Sequence, residues 1–115
     1  MSKKIVITGG LGYIGTELCK IYSGVSWNNK ILVIDNRFIS ERVYQLRNWG
    51  INFIHGDILD YDFVKKYLSN CDVVHHLAGI TEVPRTSKES NESINNKINQ
   101  VALVGTKNVI KAISN

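Results

Sequence analysis

Four glycines within seven positions form the stretch of this 115-residue chain whose chemistry is easiest to read. They follow an apolar run that ends at Thr8, and an apolar periodic stretch comes directly after them; they are Gly9, Gly10, Gly12 and Gly15. This order predicts a strand, a tight turn and the start of a helix. Glycines leave no side chain between backbone N–H groups and an incoming anion, and a helix start adds unpaired N–H groups and a positive dipole end. The stretch therefore predicts a phosphate-binding turn.

Two sequence patterns fit these glycines at once. Gly10-x-Gly12-x-x-Gly15 is the general dinucleotide-binding pattern, and Thr8-Gly9-x-x-Gly12-x-x-Gly15 is the pattern of short-chain dehydrogenases/reductases. Asp35 lies about twenty residues beyond the last glycine, at the spacing where a carboxylate bonds a ribose hydroxyl. The alternatives are a turn that binds no ligand and an aspartate that only caps a strand end.

The composition is that of one folded domain. Hydrophobic residues make up 43% of the chain and charged residues 21%, which allows a core and argues against disorder. No apolar run reaches the roughly 18 residues of a transmembrane helix. The first residues lead directly into a short strand, without the apolar region and cleavage site of a secretory signal. We therefore expect residues 1–115 to form one soluble cytoplasmic domain without a membrane partner.

Cysteines, basic residues and histidines predict no further site. The two cysteines, Cys19 and Cys71, are isolated, so neither a metal site nor a disulfide framework is expected. The net charge is +4, but the basic residues are scattered, with Lys65-Lys66 the only adjacent pair after the start, so no nucleic-acid partner is expected. Three histidines in or beside strands are predicted to be packed or hydrogen-bonded rather than metal ligands: His55, His75 and His76.

Hydrophobic periodicity divides the chain into four strand–helix units. Strands are predicted over 4–8, 30–35, 51–55 and 72–77, and helices over 11–22, 40–48, 61–68 and 92–113. Strict alternation of strand and helix predicts an α/β fold, with a parallel sheet in the order 3-2-1-4 and helices on both faces. A turn is expected over 27–29 and a polar loop over 79–91.

Each predicted helix has an apolar face that should contact the sheet. For the first three helices these faces comprise Ile14, Leu18 and Ile21; Val43, Leu46 and Trp49; and Phe63, Val64 and Tyr67, with Asp60 as the N-cap of the third helix. For the last helix the face comprises Ile94, Ile98, Val101, Ala102, Val109 and Ala112 or Ile113. Gly105 lies on the same face and is expected to let this helix approach the sheet.

Residues suited to a ligand follow each predicted strand: Gly9, Asp35, Asp57 and Gly79. Ligands of open parallel sheets bind outside the carboxyl ends of the strands, near the switch point between the first and fourth strands. One site at that edge is therefore predicted. The alternative for Asp57 is a cap on the turn before the third helix.

Taken together, the chain resembles the extended short-chain dehydrogenase/reductase superfamily, and within it the NAD-dependent nucleotide-sugar epimerases and dehydratases. The resemblance covers all 115 residues. It is carried by residues 8–15, Asp35-Asn36, Gly56-Asp57-Ile58, His76-Leu77-Ala78-Gly79 and Val104-Gly105-Thr106. It implies a partial Rossmann fold that holds the cofactor, without the substrate domain of the complete enzymes.

The resemblance also implies roles for individual residues. Gly9, Gly12 and Gly15 would shape the turn, N–H groups near Tyr13 and Ile14 would bind pyrophosphate, and Asp35 with Asn36 would bind the adenine ribose. Asp57 and Ile58 would flank the adenine, and Leu77, Ala78 and Gly79 would line the path to the nicotinamide ribose. A carboxylate attracts a ribose diol and repels a 2′-phosphate, so NAD is expected over NADP, although Arg37 is placed to offset this.

The family's catalytic Tyr-x-x-x-Lys pair follows a fifth strand and is absent from these 115 residues. Tyr61 and Lys65 match the spacing, but their predicted helix lies on the adenine side, so no catalytic residue is assigned. Ala102 stands where the family often has Asn.

We therefore expect the NAD-binding part of an epimerase or dehydratase, inactive alone, in which the complete enzyme removes a hydride from a sugar carbon and returns it. The alternative is a stand-alone dinucleotide-binding or sensor module without catalysis. The free edge of the fourth strand and the last helix are candidate surfaces for a homo-oligomer.

Overall fold

The computed structural model describes residues 3–24, 30–79 and 92–114. The strands are β1 (Lys4–Thr8), β2 (Lys30–Asp35), β3 (Asn52–His55) and β4 (Val73–His76). The helices are α1 (Tyr13–Ser23), α2 (Ser40–Asn48), α3 (Tyr61–Leu68), α4 (Glu92–Gln100) and α5 (Thr106–Ile113), and a π-helical turn over Val101–Gly105 joins the last two.

The four strands form one parallel sheet in the order β3-β2-β1-β4, as predicted. Parallel strands have their carboxyl ends at the same edge of the sheet, so Thr8 lies beside His76, and Asp35 beside His55. This edge gathers the ends of all four strands. It therefore supplies the place where residues distant in sequence can share a ligand.

Helices cover both faces of the sheet, and each face has its own core. Successive residues of β1 point to opposite faces, so Ile7 packs with Val33 and Leu46 of one core, whereas Val6 belongs to the other. The first core is closed by α1 and α2, and the second by α3 and α5. Burial on both faces explains the nearly continuous apolar runs of β1 and β2.

The predicted bounds of β1, β2, α2 and α3 are confirmed, whereas β3 and β4 are shorter than predicted by one or two residues. Val43 and Leu46 are buried in the first core, and Val64 in the second, as expected. Asp60 caps α3 as predicted, because its Oδ1 accepts a hydrogen bond from the N–H of Phe63 at 3.3 Å.

The predicted face of the first helix is wrong for Ile14 and Ile21, whereas Leu18 packs against the first core as predicted. The helix begins at Tyr13 rather than at residue 11, and Ile14 and Ile21 are 72% and 65% exposed. Its buried positions are Gly15 and Cys19. The close approach of the backbone at Gly15 to the preceding turn fixes the rotation of the helix, and this contact overrides the wider apolar stripe that the spacing suggested.

The predicted last helix is correct in extent but is not one regular α-helix. The π-helical turn changes its register, so Val101, Val109 and Ala112 are buried while Ala102 and Ile113 are exposed. Gly105 is buried as expected, but it faces the Ile58 side chain in the β3–α3 connection rather than the sheet.

Some predicted features lie outside the described residues: the 27–29 turn, residues 80–91 of the polar loop, and the side chain of Ile94. Within the described ranges, no helix combines the length and apolar character needed to cross a bilayer.

Candidate functional site

The glycine turn is built by hydrogen bonds that tie it to its neighbours. The N–H of Gly9 donates to the carbonyl of Ile34 on β2 at 2.7 Å, and the N–H of Gly12 donates to the carbonyl of Gly9 at 3.0 Å. Leu11 places its side chain in the core, and its carbonyl accepts a hydrogen bond from Arg42 of α2. These contacts fix the turn against β2 and α2, so its shape does not depend on a ligand.

Three of the four glycines are required by close packing. Gly9 has φ of +70°, and a Cβ atom there would lie 2.7 Å from the backbone of Ala78. A Cβ atom on Gly10 would meet the Val33 side chain at 2.5 Å, and one on Gly15 would meet the Gly9 carbonyl oxygen at 2.6 Å. Gly12 is different, because the nearest atoms to its Cβ would lie at 3.2 and 3.4 Å.

The start of α1 offers backbone donors to the cleft. Gly12 is the N-cap of α1 and has no side chain that could accept a capping hydrogen bond. The first backbone hydrogen bond of the helix runs from the N–H of Thr16 to the carbonyl of Gly12. No acceptor among the described residues pairs with the N–H groups of the first three helical positions, Tyr13 to Gly15. Such donors, together with the helix dipole, favour an anion at this point.

Asp35, at the end of β2, accepts four hydrogen bonds. The N–H groups of Leu11 and Arg37 donate to Oδ2 and Oδ1 at 3.1 and 2.9 Å, and the Arg37 guanidinium donates to both oxygens at 3.2 Å. The Asp35 side chain is 2% exposed and that of Arg37 is 53% exposed. Asp35 therefore ties the glycine turn to β2, and Arg37 occupies the two carboxylate positions that the backbone leaves open.

A cleft of about 800 Å³ opens at the carboxyl edge of the sheet. All twelve residues singled out from the sequence line it: Gly9, Gly12, Tyr13, Ile14, Gly15, Asp35, Asn36, Asp57, Ile58, Leu77, Ala78 and Gly79. Tyr13 and Ile14 are among them although both residues are largely exposed.

Six further residues line the cleft and were not among the predicted site residues: Ile34, Arg37, Arg42, Gly56, Lys97 and Val101. For Arg37 the sequence predicts only an effect on a 2′-phosphate. Arg42, Lys97 and Val101 belong to α2, α4 and the π-helical turn, and a helical residue reaches the sheet edge only through packing that local sequence does not encode. The three basic side chains outnumber the acids Asp35 and Asp57, so the cleft favours an anionic ligand.

Asp57 and Ile58 follow β3 and form one wall of the cleft. Asp57 Oδ1 accepts a hydrogen bond from the N–H of Leu59 at 2.9 Å, so Asp57 caps the turn before α3, which is the alternative that the sequence left open. Asn108 of α5 donates to the Ile58 carbonyl at 2.8 Å, and Ile58 packs against Gly105. This wall is therefore held in place by α5.

The histidines are hydrogen-bonded, as predicted. His55 donates from Nε2 to the Asn36 carbonyl at 2.9 Å, and His75 Nε2 shares a bond of 2.7 Å with the Tyr22 hydroxyl. His76 bridges two threonines, Thr8 and Thr106, at 2.7 and 3.1 Å. Among the described residues, no three His, Cys, Asp or Glu side chains cluster closely enough to hold a metal ion.

The remaining candidates for chemistry lie away from the cleft. Burial raises the pKa of the Cys19 thiol to about 11 and also raises that of Cys71, so both thiols are protonated at neutral pH. The ring of Tyr61 packs under the Lys111 ammonium at 4.4 Å from the ring centroid. Neither Tyr61 nor Lys65 lines the cleft.

With this geometry, comparison with known proteins places the chain in a family. The sequence model of the 3-beta hydroxysteroid dehydrogenase/isomerase family matches residues 6–115. The chain belongs to this family. Its membership confirms the resemblance to the extended short-chain dehydrogenases/reductases that the glycine turn and the strand ends suggested.

This member of the 3-beta hydroxysteroid dehydrogenase/isomerase family has relatives whose names refer to nucleotide sugars. The UDP-N-acetyl-alpha-D-glucosaminuronate decarboxylase of Bacillus cytotoxicus is 32% identical over 113 residues, which cover 97% of this chain and 33% of that protein. The chain spans about a third of the length of the curated relatives it matches.

Solved structures of similar fold include two enzymes at 25% identity. The UDP-Glc/GlcNAc 4-epimerase of Campylobacter jejuni aligns with a TM-score of 0.77 over 96% of this chain and 33% of that chain. The Bordetella bronchiseptica enzyme WbmH, solved in complex with NAD+, aligns with a TM-score of 0.74 over 97% of this chain and 35% of that chain.

Proposed function

We propose that residues 1–115 form the NAD-binding domain of an NAD-dependent nucleotide-sugar epimerase or dehydratase. The observation that carries this proposal is the start of α1, where three residues that line the cleft beside Gly12 have N–H groups with no acceptor in the part of the chain that the structure describes. A diphosphate is the ligand whose charge and acceptor oxygens suit such a place. The relatives that bind NAD or are named for nucleotide sugars support the choice of ligand.

The residues of the cleft fit a dinucleotide. Gly12 itself adds no side chain to the cleft, where the Arg37 guanidinium lies beside it, and Arg42 and Lys97 add further positive charge to the lining. The N–H groups of Tyr13 and Ile14 would hold the pyrophosphate, and Ile58 would flank the adenine. Leu77, Ala78 and Gly79 would line the side toward the nicotinamide. When bound, the nicotinamide ring supplies a hydride acceptor, and the chain's own residues bind and orient it.

Asp35 and Arg37 would decide between NAD and NADP. Two backbone N–H groups hold the Asp35 carboxylate, and the Arg37 guanidinium fills the two remaining positions with a pair of parallel hydrogen bonds. A ribose diol also presents two neighbouring donors, so it would take the place of the guanidinium. Arg37 is more than half exposed, and an ion pair with an exposed partner stabilises little, so this exchange costs little. We therefore propose NAD as the preferred cofactor.

Calorimetric titration of the 115-residue protein with NAD⁺ and with NADP⁺ tests this proposal. We expect Asp35→Asn to lower the affinity ratio of NAD over NADP by about ten- to a hundredfold, since hydrogen bonds to a charged group are worth about 1.5–3 kcal/mol. Arg37→Ala should raise the same ratio, because it removes the cation that can face a 2′-phosphate.

The two variants differ in one charge each, and circular dichroism of both checks that the fold is kept. Failure of the wild-type protein to bind either dinucleotide would refute the proposed function. If Asp35→Asn and Arg37→Ala changed the affinity ratio of NAD over NADP in the same direction and by the same amount, only the role of Asp35 and Arg37 would be refuted.

A further inference from the structure

His76 occupies a position that joins three elements at the cleft. It ends β4, and its ring lies between the Thr8 hydroxyl at the end of β1 and the Thr106 hydroxyl at the start of α5. The two residues after it, Leu77 and Ala78, line the cleft. Their N–H groups donate to the Thr8 hydroxyl oxygen at 3.1 and 3.2 Å. The Thr8 hydroxyl therefore connects His76 to the wall of the cleft.

The hydrogen bonds determine which nitrogen of His76 carries the proton. A hydroxyl has one proton to donate and two acceptor positions. The N–H groups of Leu77 and Ala78 use both acceptor positions of Thr8, so its proton is donated to His76 Nδ1. His76 Nδ1 is therefore unprotonated, and Nε2 carries the proton and donates it to Thr106. Only a neutral His76 ring gives every donor and acceptor in this series of hydrogen bonds a partner.

The π-helical turn explains why Thr106 is available to His76. Hydrogen bonds from residue i to i+5 bring residues five apart onto one side of a helix. The turn spans Val101–Gly105, so it places the cleft-lining Val101 and the His76 partner Thr106 on the same side. In a regular α-helix these two residues would face different directions.

We propose that neutral His76 is a positioning residue of the dinucleotide site, and that its protonation weakens dinucleotide binding. This inference rests on the proposed function. A protonated ring has donors on both nitrogens, so Thr8 would face three donors with two acceptor positions. One of the bonds that hold Leu77 and Ala78 is then lost, and the wall of the cleft loses its fixed shape.

The surroundings of His76 favour the neutral ring. Burial lowers its pKa below the ordinary value of 6.5, and among the described residues no charged side chain contributes to that shift. β1 and α5 face the ring with hydroxyl groups, those of Thr8 and Thr106. The neighbouring His75 bonds Tyr22 of α1 instead, and the Lys107 side chain lies exposed in a shallow depression with Ile110.

The test is NAD⁺ titration of the 115-residue protein by calorimetry at about pH 8 and about pH 5.5, on either side of the ordinary histidine range. Wild type should bind more weakly at the lower pH, and the loss should approach about five- to tenfold as the ring becomes fully protonated, the effect of about one net hydrogen bond. His76→Asn places an acceptor oxygen where Nδ1 stands and does not titrate, so at both pH values it should bind with the affinity that wild type has at about pH 8. His76→Gln reaches toward Thr106 instead and should bind weakly at both.

His75→Gln is the matched control, since it changes the adjacent residue of β4 whose bond points to α1. It should keep the pH dependence. Nitrogen-15 NMR should find the Nε2–H tautomer of His76 without any ligand, and the Nδ1–H tautomer would overturn the inference. So would wild-type NAD⁺ binding that is equal at about pH 8 and at a pH where the same NMR signals show His76 to be protonated. Equal NAD⁺ binding by His76→Asn and His76→Gln would also overturn it. Absence of NAD⁺ binding by wild type at every pH would instead refute the proposed function.

Discussion

At the scale of single residues, Gly9 and Gly50 have similar backbone conformations and different surroundings. Their φ angles are +70° and +74°, in the left-handed region that L-residues rarely adopt. A Cβ atom on Gly9 would collide with the backbone of Ala78, whereas one on Gly50 would have no neighbour within 4 Å. Substitution of Gly50 therefore tests backbone strain alone, whereas substitution of Gly9 tests backbone strain and steric collision together.

We expect Gly9→Ala to lower the free energy of unfolding by about 2–5 kcal/mol, the sum of left-handed strain of about 1–2 kcal/mol and of overpacking of about 1–3 kcal/mol. Gly50→Ala should lower it by about 1–2 kcal/mol, because only the strain applies. Urea unfolding of both variants measures the difference. Equal losses would mean that the contact of Gly9 with Ala78 does not constrain the turn.

Asp35 shows how a residue predicted from its spacing can have a structural role as well. Its position at the end of β2 is sufficient to predict a carboxylate at the cleft, with a cap at the strand end as the structural alternative. Asp35 accepts a hydrogen bond from the Leu11 N–H, which holds the glycine turn, and it still lines the cleft. The bonds to Arg37 were not predictable in this detail, because they depend on a side-chain conformation set by the turn around them.

At the scale of elements, the sequence predicts order and type better than rotation. The alternation of apolar strands with amphipathic helices was enough to predict the sheet order, and Asp60 was enough to predict the start of α3. The rotation of α1 was mispredicted because Ile14 and Ile21 match a helical stripe, while the decisive contact is made by Gly15, which has no side chain. The π-helical turn had no signal in the spacing of its residues.

The cap of α3 is open to a direct test. Asp60→Ala should lower the free energy of unfolding by about 1 kcal/mol, because the N–H of Phe63 then loses its acceptor. Asp60→Asn should cost less, since asparagine caps helices about as well as aspartate. Chemical denaturation of the two variants under the same conditions gives both values. A loss in Asp60→Asn as large as that in Asp60→Ala would assign the effect to charge rather than to the cap.

At the scale of the whole molecule, the candidate site is assembled from every layer of the fold. The strand ends, the turns after them and the first turn of α1 supply the twelve predicted residues, and these could be found because they lie at or shortly after the end of a strand in sequence. The helices supply Arg42, Lys97 and Val101, and their contribution depends on how α2, α4 and the π-helical turn pack. The positive balance of the cleft comes from this second group together with Arg37.

The predicted self-association remains a proposal, and the surface we assign to it is the outer side of α5 and the turn before it. Val109 and Ala112 are buried against the second core, while Leu103, Ile110 and Ile113 are 68%, 55% and 46% exposed. Exposed apolar side chains grouped on one surface are typical of association sites. A second copy facing the same surface would bury them in a symmetric contact.

We expect the protein to form a dimer in light scattering at high concentration, and Leu103→Glu together with Ile110→Glu to abolish it. Lys107 and Lys111 flank Ile110, so a symmetric contact brings like charges together, and added salt should strengthen the dimer by screening them. Ile21→Glu is the control, because Ile21 is equally exposed on α1, which covers the other face of the sheet. A monomer at every concentration would refute this surface, and so would a dimer that Ile21→Glu disrupts as much as the double variant does. A dimer that salt strengthens and that only the double variant disrupts would be explained by a contact through α5.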